Sequence, residues 1–218
     1  MSQAPFDEAN LGMSVGDDPA AVARNRRVLA ERLGIPEQGW AWLHQVHGAV
    51  VIAGEQHAEG DATEADAAVT ARPGVPLVVQ SADCAPIALA TDDAIAVVHA
   101  GWPGLVAGVN PNAVARLRDV GHGVVRAALG PCVHACCYQF GRDDLARVVA
   151  ALDESVEAKT SAGDLALDIP AAVRVALTRA EVEHLDDADV CTYTSPDHFS
   201  YRRDGRTGRQ ALVAFIDR

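Results

Sequence analysis

Residues 76–81, 86–90 and 95–100 are short apolar runs that follow one another too closely for a helix to cross between them. The last two flank a turn built on Asp92-Asp93, so they are expected to pair as an antiparallel hairpin. Further strands are expected over 40–52, 124–129, 189–194, 199–203 and 210–216. One helix should run Pro19–Leu33, capped by Asp17 or Asp18, ended by Gly34, with Val22, Leu29 and Leu33 as its buried stripe. A second should open at Asp143 or Asp144 and bury Leu145, Val148, Val149 and Leu152. A third should begin at Pro170 and turn Val173, Ala176 and Leu177 inward. Strands outnumber helices and come in adjacent runs rather than strict βαβ alternation. That pattern predicts a mixed-sheet α+β fold. No repeat or linker divides the chain, so residues 1–218 are expected to form a single domain.

Charge and cysteine usage narrow the function classes. With 18 basic and 30 acidic residues the net charge is −12, and such a surface repels phosphodiester backbones and anionic lipids. Neither nucleic acid nor a membrane is an expected partner. A small phosphate-bearing ligand in a local basic pocket is still compatible. The 5 cysteines are odd in number and irregular in spacing, which argues for free thiols in a reducing compartment. Residues 94–115 carry no formal charge but contain His99, Gly101, Pro103, Gly104, Gly108, Asn110 and Pro111. Too many breakers lie there for a bilayer span, and the stretch reads as a buried strand followed by a tight loop. The start of the chain carries no secretory pattern, and a cytoplasmic protein is expected.

Two histidines sit in the apolar run WLHQVHGAVV. On a continuous strand His44 and His47 face opposite sides, so they cannot converge on one ion unless the strand breaks. Gly48 is a natural bend, which makes His47 the better ligand candidate and His44 a packed residue. A lone histidine in an apolar strand is more often structural than functional. Two other stretches change the balance. SADCAPIAL puts Asp83 and Cys84 at a strand end, and VVHAGWPG puts His99 at another. His47, Cys84 and His99 together are a two-histidine, one-cysteine set known from catalytic zinc sites, although their separation in sequence forms no compact metal motif. Asp83 is expected to orient a ligand or a backbone turn. In FSYRRDGRTGR, Asp204-Gly205 reads as a turn between strands, so Arg202 and Arg203 point to opposite sides and only one can reach a site. Gln45 shares the His47 face and is a candidate hydrogen-bond partner for substrate, with Asn10 a further one. The run CVHACC reads as buried thiols beside a Gly130-Pro131 loop rather than as a second metal site.

The segments NLGMSVGDDPAAVARNRRVL, WLHQVHGAVV, EADAAVTARPGVPLVVQSADCAPIAL, AVVHAGWPG, LGPCVHACCYQF and CTYTSPDHFSYRRDGRTGR occur in the order seen in the YfiH/YlmD-like family, and the chain resembles that family from about Asn10 to Arg209. The family was long labelled polyphenol oxidase or laccase domain. The resemblance implies an α/β/β/α sandwich with mixed sheets, a broad fold shared with the cytotoxic necrotising factor deamidases. It implies Zn²⁺ held by His47, Cys84 and His99, and it selects His47 over His44. It further implies phosphorolysis of adenosine, inosine, guanosine and methylthioadenosine, deamination of adenosine, and a link to peptidoglycan precursor editing. Two departures stand out. The usual HAGWRG reads HAGWPG, with Pro103 for arginine, and the usual CCYEV reads CCYQF, with Gln139 for glutamate. Loss of that arginine would remove a bidentate anion contact and puts phosphorolytic efficiency in question.

Three rival functions remain on the sequence. A metal-free hydrolase would use Cys84 as nucleophile and His99 as base, but it has no evident need for His47. Multicopper oxidation requires many convergent histidines, whereas only His47 and His99 of the 8 are in motif positions. A non-catalytic binding module would have no reason to keep the three-residue set.

Overall fold

The computed structural model describes residues 1–7, 9–56 and 63–217. In chain order its main elements are α1 (Pro19–Leu33), β1 (Ala41–Trp42), β2 (Val51–Ala53), β3 (Ala67–Thr70), β4 (Leu77–Ser81), β5 (Ala85–Ala90), β6 (Ile95–Ala100), α2 (Trp102–Ala107), α3 (Val109–Val120), β7 (Arg126–Leu129), α4 (Arg142–Ala151), β8 (Glu157–Lys159), β9 (Leu165–Leu167), α5 (Ile169–Arg179), β10 (His184–Asp187), α6 (Tyr201–Asp204) and β11 (Gln210–Ala214). Among the described residues they build a six-stranded sheet, β10-β7-β5-β6-β3-β2, and a three-stranded sheet, β1-β4-β11, with β8 and β9 as a separate pair. Both larger sheets are mixed: β2–β3, β7–β10 and β1–β4 run parallel, and the remaining pairs in them are antiparallel.

Strand alternation explains the layering. On β3 and β6 the residues Ala67, Val69, Ala96 and Val98 face one way, into a core shared with Val114 and Leu117 of α3 and Val173 and Leu177 of α5. Ala68 and Val97 face the other way, against Leu77 and Val79 of β4. The opposite face of β4 presents Val78 to Trp40, Trp42 and Ala30 of α1. The order is therefore helix, sheet, sheet, helix, and the fold is α+β with mixed sheets. Strands β3, β5 and β6 are covered on both faces for most of their length, and their sequences are accordingly apolar apart from Thr70 and His99 at their ends.

The expected hairpin forms: β5 pairs antiparallel with β6, and Thr91 N donates to Ala94 O across the turn. Helix α1 has the expected bounds, with the Asp18 carboxylate accepting from Ala20 N and Gly34 left-handed at φ 69°. Leu33, expected inside, is instead exposed. Other expectations need correction. The strand over 40–52 is only β1 and β2 joined by an irregular loop. The loop expected after β6 is two helices, α2 and α3, whose first turns accommodate Pro103 and Pro111. Residues 189–194 are not a strand: Asp189 is left-handed at φ 51°, and the sheet is extended instead by β10. The strand expected over 199–203 is the short helix α6, which Ser200 caps by accepting from Arg203 N. No helix among the described residues is long and apolar enough to cross a membrane.

Candidate metal centre

The β5–β6 register brings two of the three residues together. Pro86 lies opposite His99 and Ala85 opposite Ala100, so Cys84, one residue before β5, lies beside the end of β6. His47 comes from the loop after β1. Its backbone is left-handed at φ 59°, a conformation that a non-glycine residue holds only when its surroundings enforce it. One carboxylate does this. Asp66, fully buried, accepts from Val46 N at 3.2 Å, His47 N at 2.9 Å and Gly48 N at 2.7 Å. The same carboxylate accepts a hydrogen bond from His99 Nδ1 at 2.8 Å, and the peptide oxygen of Asp66 accepts from His99 N. Asp66 thus fixes the loop that carries one histidine and the ring orientation of the other, and it leaves Nε2 of His99 to face the cluster.

The potential ligand atoms of His47, Cys84 and His99 all lie within 4.8 Å of one another, with Cys84 Sγ 3.7 Å from His47 Nε2. The imidazoles meet edge to face, centroids 4.9 Å apart. Close packing from α2 leaves little slack. A Cβ on Gly101 would come 2.5 Å from His47 Cδ2 and 3.2 Å from Cys84 Sγ, and one on Gly104 would come 2.9 Å from Gly48 O. The electrostatics suit a cation. Burial pushes the Cys84 thiol up, but the charge of His99 and hydrogen bonds from both histidines outweigh it and bring the thiol down to about 6. For His99, burial opposes protonation, yet Cys84 and Asp66 raise it to about 9. Asp66 is held below the usual carboxylate range because its hydrogen bonds to His99 and the loop peptides outweigh its own burial.

The three residues open onto a cavity of about 510 Å³, also lined by Ser81, Tyr201 and Arg209. Among the described residues no carboxylate lines it, and Arg209 is its one guanidinium or ammonium group. Arg209 Nη1 donates to Thr207 O and Gly208 O, while no partner among the described residues engages its Nε or Nη2. Burial lowers the guanidinium below its usual value, against the opposing pull of Cys84, Asp83 and Tyr201. Ser81 Oγ is buried without a hydrogen-bond partner among the described residues.

The remaining expected residues are placed as follows. Gln45 lines the cavity, but its amide spans the backbone of Gln80, donating to Gln80 O at 2.7 Å and accepting from Gln80 N at 2.8 Å. Asn10 is fully buried. Its side chain donates to Gly12 O and Asp17 and accepts from Gly12 N and Arg209 N, so it sets the position of Arg209 rather than presenting a free amide. Neither Arg202 nor Arg203 lines the cavity. Arg202 lies over the Tyr138 ring and donates to Gln139 O, and Arg203 is tied to the carbonyls of Thr192, Tyr193, Ser195 and His198. The helical geometry of α6 replaces the strand alternation that made one of them a candidate. Asp83, at φ 114°, accepts from Thr192 Oγ1 and Arg202 N, and so pins two loops rather than a ligand. His44 is exposed and lines the same cavity as His47, which the broken strand permits. Sequence reasoning missed Asp66 and Arg209. Asp66 sits in EADAAV with no local signal, but Arg209 ends the basic motif already under consideration.

Fold and site together define a small α+β protein with an open two-histidine, one-cysteine centre at the mouth of a cavity. A sequence model of the family described as multi-copper polyphenol oxidoreductase laccase matches residues 1–217, and the chain belongs to that family. It is 41% identical to a purine nucleoside phosphorylase of Streptomyces coelicolor, covering 100% of this chain and 91% of the relative. It is 38% identical to one of Pseudomonas aeruginosa, covering 99% and 89%. Among solved structures, YlmD from Geobacillus stearothermophilus superposes with a TM-score of 0.91 at 31% identity, covering 100% of this chain and 88% of that one. The Neisseria meningitidis protein NMB0706 superposes with a TM-score of 0.90 at 33% identity, covering 100% and 90%.

Proposed function

We propose that the protein is a purine nucleoside phosphorylase that also deaminates adenosine, with Zn²⁺ held by His47, Cys84 and His99. The observation that carries this reading is the convergence of those three ligand atoms within 4.8 Å at the mouth of the cavity. Relatives named for the activity, alike over nearly the whole chain, support it. Two imidazoles and a thiolate suit a borderline-soft dication, and three protein ligands leave a position open for substrate or water. Such an ion supplies Lewis acidity and makes water more acidic.

The chain's own residues have separate tasks. In phosphorolysis a phosphate oxygen bonds to C1′ of the ribose, the bond from C1′ to the purine nitrogen breaks, and the departing base takes up a proton. Arg209 is the group placed to hold the phosphate, through the N–H groups its own loop does not use. Ser81 Oγ gains a partner when a sugar or base occupies the cavity, which removes a buried unpaired hydroxyl. Asp66 keeps His99 in one tautomer throughout. Free thiols fit a cytoplasmic location.

The test is product analysis. Metal-loaded protein incubated with adenosine should give adenine and ribose 1-phosphate only when phosphate is present, and inosine with or without it. Arg209→Met should raise the KM for phosphate by about 10- to 100-fold, the loss of one charge-assisted pair, and leave phosphate-independent deamination near the parent rate. A second reading has its own observation: the Cys84 thiol, at about 6, beside His99 could act as a metal-free nucleophile. Activity that survives stripping of the metal and vanishes on alkylation would select that reading.

A further inference from the structure

A second group of soft side chains lies outside the cavity. Cys136 and Cys137 are neighbours on a tight 3-10 turn, Ala135–Cys137, which sets their sulfurs 3.2 Å apart. Cys191 reaches them from a distant loop. Residues 132 and 191 form an isolated parallel bridge, with Cys132 N donating to Val190 O and Thr192 N to Cys132 O. Cys191 Sγ lies 4.0 Å from Cys136 Sγ, and the three sulfurs are all within 4.8 Å of one another. None is in a disulfide.

We propose that Cys136, Cys137 and Cys191 form a three-thiolate site for a soft monovalent cation of the Cu⁺ type, separate from the His47/Cys84/His99 centre and independent of the function proposed for it. Metal–sulfur bonds of about 2.3 Å place ligands around one ion roughly 4 Å apart, close to the spacing already present. The donor set is all sulfur. Structural zinc takes four ligands, and the described residues offer no fourth here, whereas thiolate-only sets select soft ions. The surroundings are those of a thiolate ligand: His134 N donates to Cys191 Sγ at 3.4 Å, a peptide-to-sulfur bond that supports negative charge on sulfur. Cys136 and Cys137 are only half-buried, so an ion has a way in. Each ligating thiol releases one proton to solvent as the ion binds, and no oxidant is needed.

The site also has a mechanical link to the first centre. Thr192, next to Cys191, donates to Asp83, next to Cys84, and Val133 N donates to Asp83 O. Filling the thiol site should therefore stiffen the turn that carries Cys84.

The experiment is an anaerobic titration of the reduced, full-length protein with Cu⁺ against a Cu⁺-specific chelator, followed by X-ray absorption at the copper edge. The Cys84→Ala variant, which lacks the first centre's thiolate, should still take up one equivalent, with three sulfur scatterers and no imidazole. That equivalent should be lost from Cys84→Ala carrying Cys191→Ser, and also from Cys84→Ala carrying Cys137→Ser. The latter changes a half-buried position and guards against a folding failure at buried Cys191. No uptake by Cys84→Ala, uptake that persists in the Cys137→Ser background, or a shell of two sulfurs plus nitrogen would overturn the site.

Discussion

Among the described residues there are two clusters of metal-capable side chains, and cysteine behaves oppositely in them. At the cavity, Cys84 sits beside His99 and His47, and the positive and hydrogen-bonding character of the imidazoles brings the thiol down to about 6. In the second cluster Cys136 has burial, Cys137 and Cys191 around it, and its thiol is pushed up to about 12. Cys191 departs from its neighbour: burial pushes it up, but peptide N–H groups, His134 first among them, hold it below the usual value. Neighbours, not residue type, decide which thiol is ionised near neutrality. One centre is preorganised by an outer carboxylate and stands open to a cavity. The other is a set of thiols that needs an arriving cation to relieve their mutual repulsion on ionisation.

The sharpest way to break this comparison is to remove one sulfur from each cluster. Cys84→Ala should abolish metal binding at the cavity and reduce nucleoside turnover to the detection limit, whereas Cys136→Ser should leave turnover within about twofold, since surface-type changes away from a site are small. Metal content and product formation measured on both variants decide it, and equal losses would dissolve the distinction. Next in size is Asp66→Asn. Loss of an outer partner of a ligating histidine costs about 10- to 100-fold in metal affinity, and here the same change also weakens the loop bonds that hold His47 left-handed. Chelator competition should show the weakening, and the parent affinity in Asp66→Asn would remove Asp66 from its positioning role.

A smaller effect separates the thiols by pH. In metal-free protein the thiolate is the reactive form. Cys84, at about 6, is already ionised at neutral pH, so its alkylation rate should be flat from pH 7 to pH 9 and fall as pH drops through about 6. Cys136, at about 12, should label slowly and rise about tenfold per pH unit through the same range. Cys132, buried and raised further, should label last. Peptide mapping after iodoacetamide treatment reads all three, and a shared pH profile would sink the contrast.

How much of this was legible in the sequence depended on the range of the interaction. The β5–β6 hairpin and the bounds of α1 were readable because turn, cap and period lie within a few residues. That His47, Cys84 and His99 come together was suggested by strand ends and motif order, and the structure does bring them together. Gly48 as a bend points to His47, but the left-handed turn falls on His47 itself, and what holds it is Asp66, whose carboxylate reaches three successive peptide N–H groups 18 to 20 residues earlier in the chain. No local pattern marks that acid among so many others. Helices α2 and α3 were hidden for a different reason: their glycines and prolines lie at caps and first turns, where they support a helix, yet they read as breakers.

Pro103 gives the smallest expected effect and tests the division between the cavity and its surroundings. On sequence alone, proline in place of the family's arginine threatened the phosphate contact. In the fold, Pro103 occupies the first turn of α2, where its fixed φ suits the helix, and it does not line the cavity. The cation that does line it is Arg209, held in place through its backbone N–H to Asn10 Oδ1. Pro103→Arg should therefore change the KM for phosphate by less than about threefold, under 1 kcal/mol, while Arg209→Met changes it by much more. If Pro103→Arg instead lowered that KM tenfold, residue 103 would have to reach the anion after all, and the assignment of that contact to Arg209 would fall.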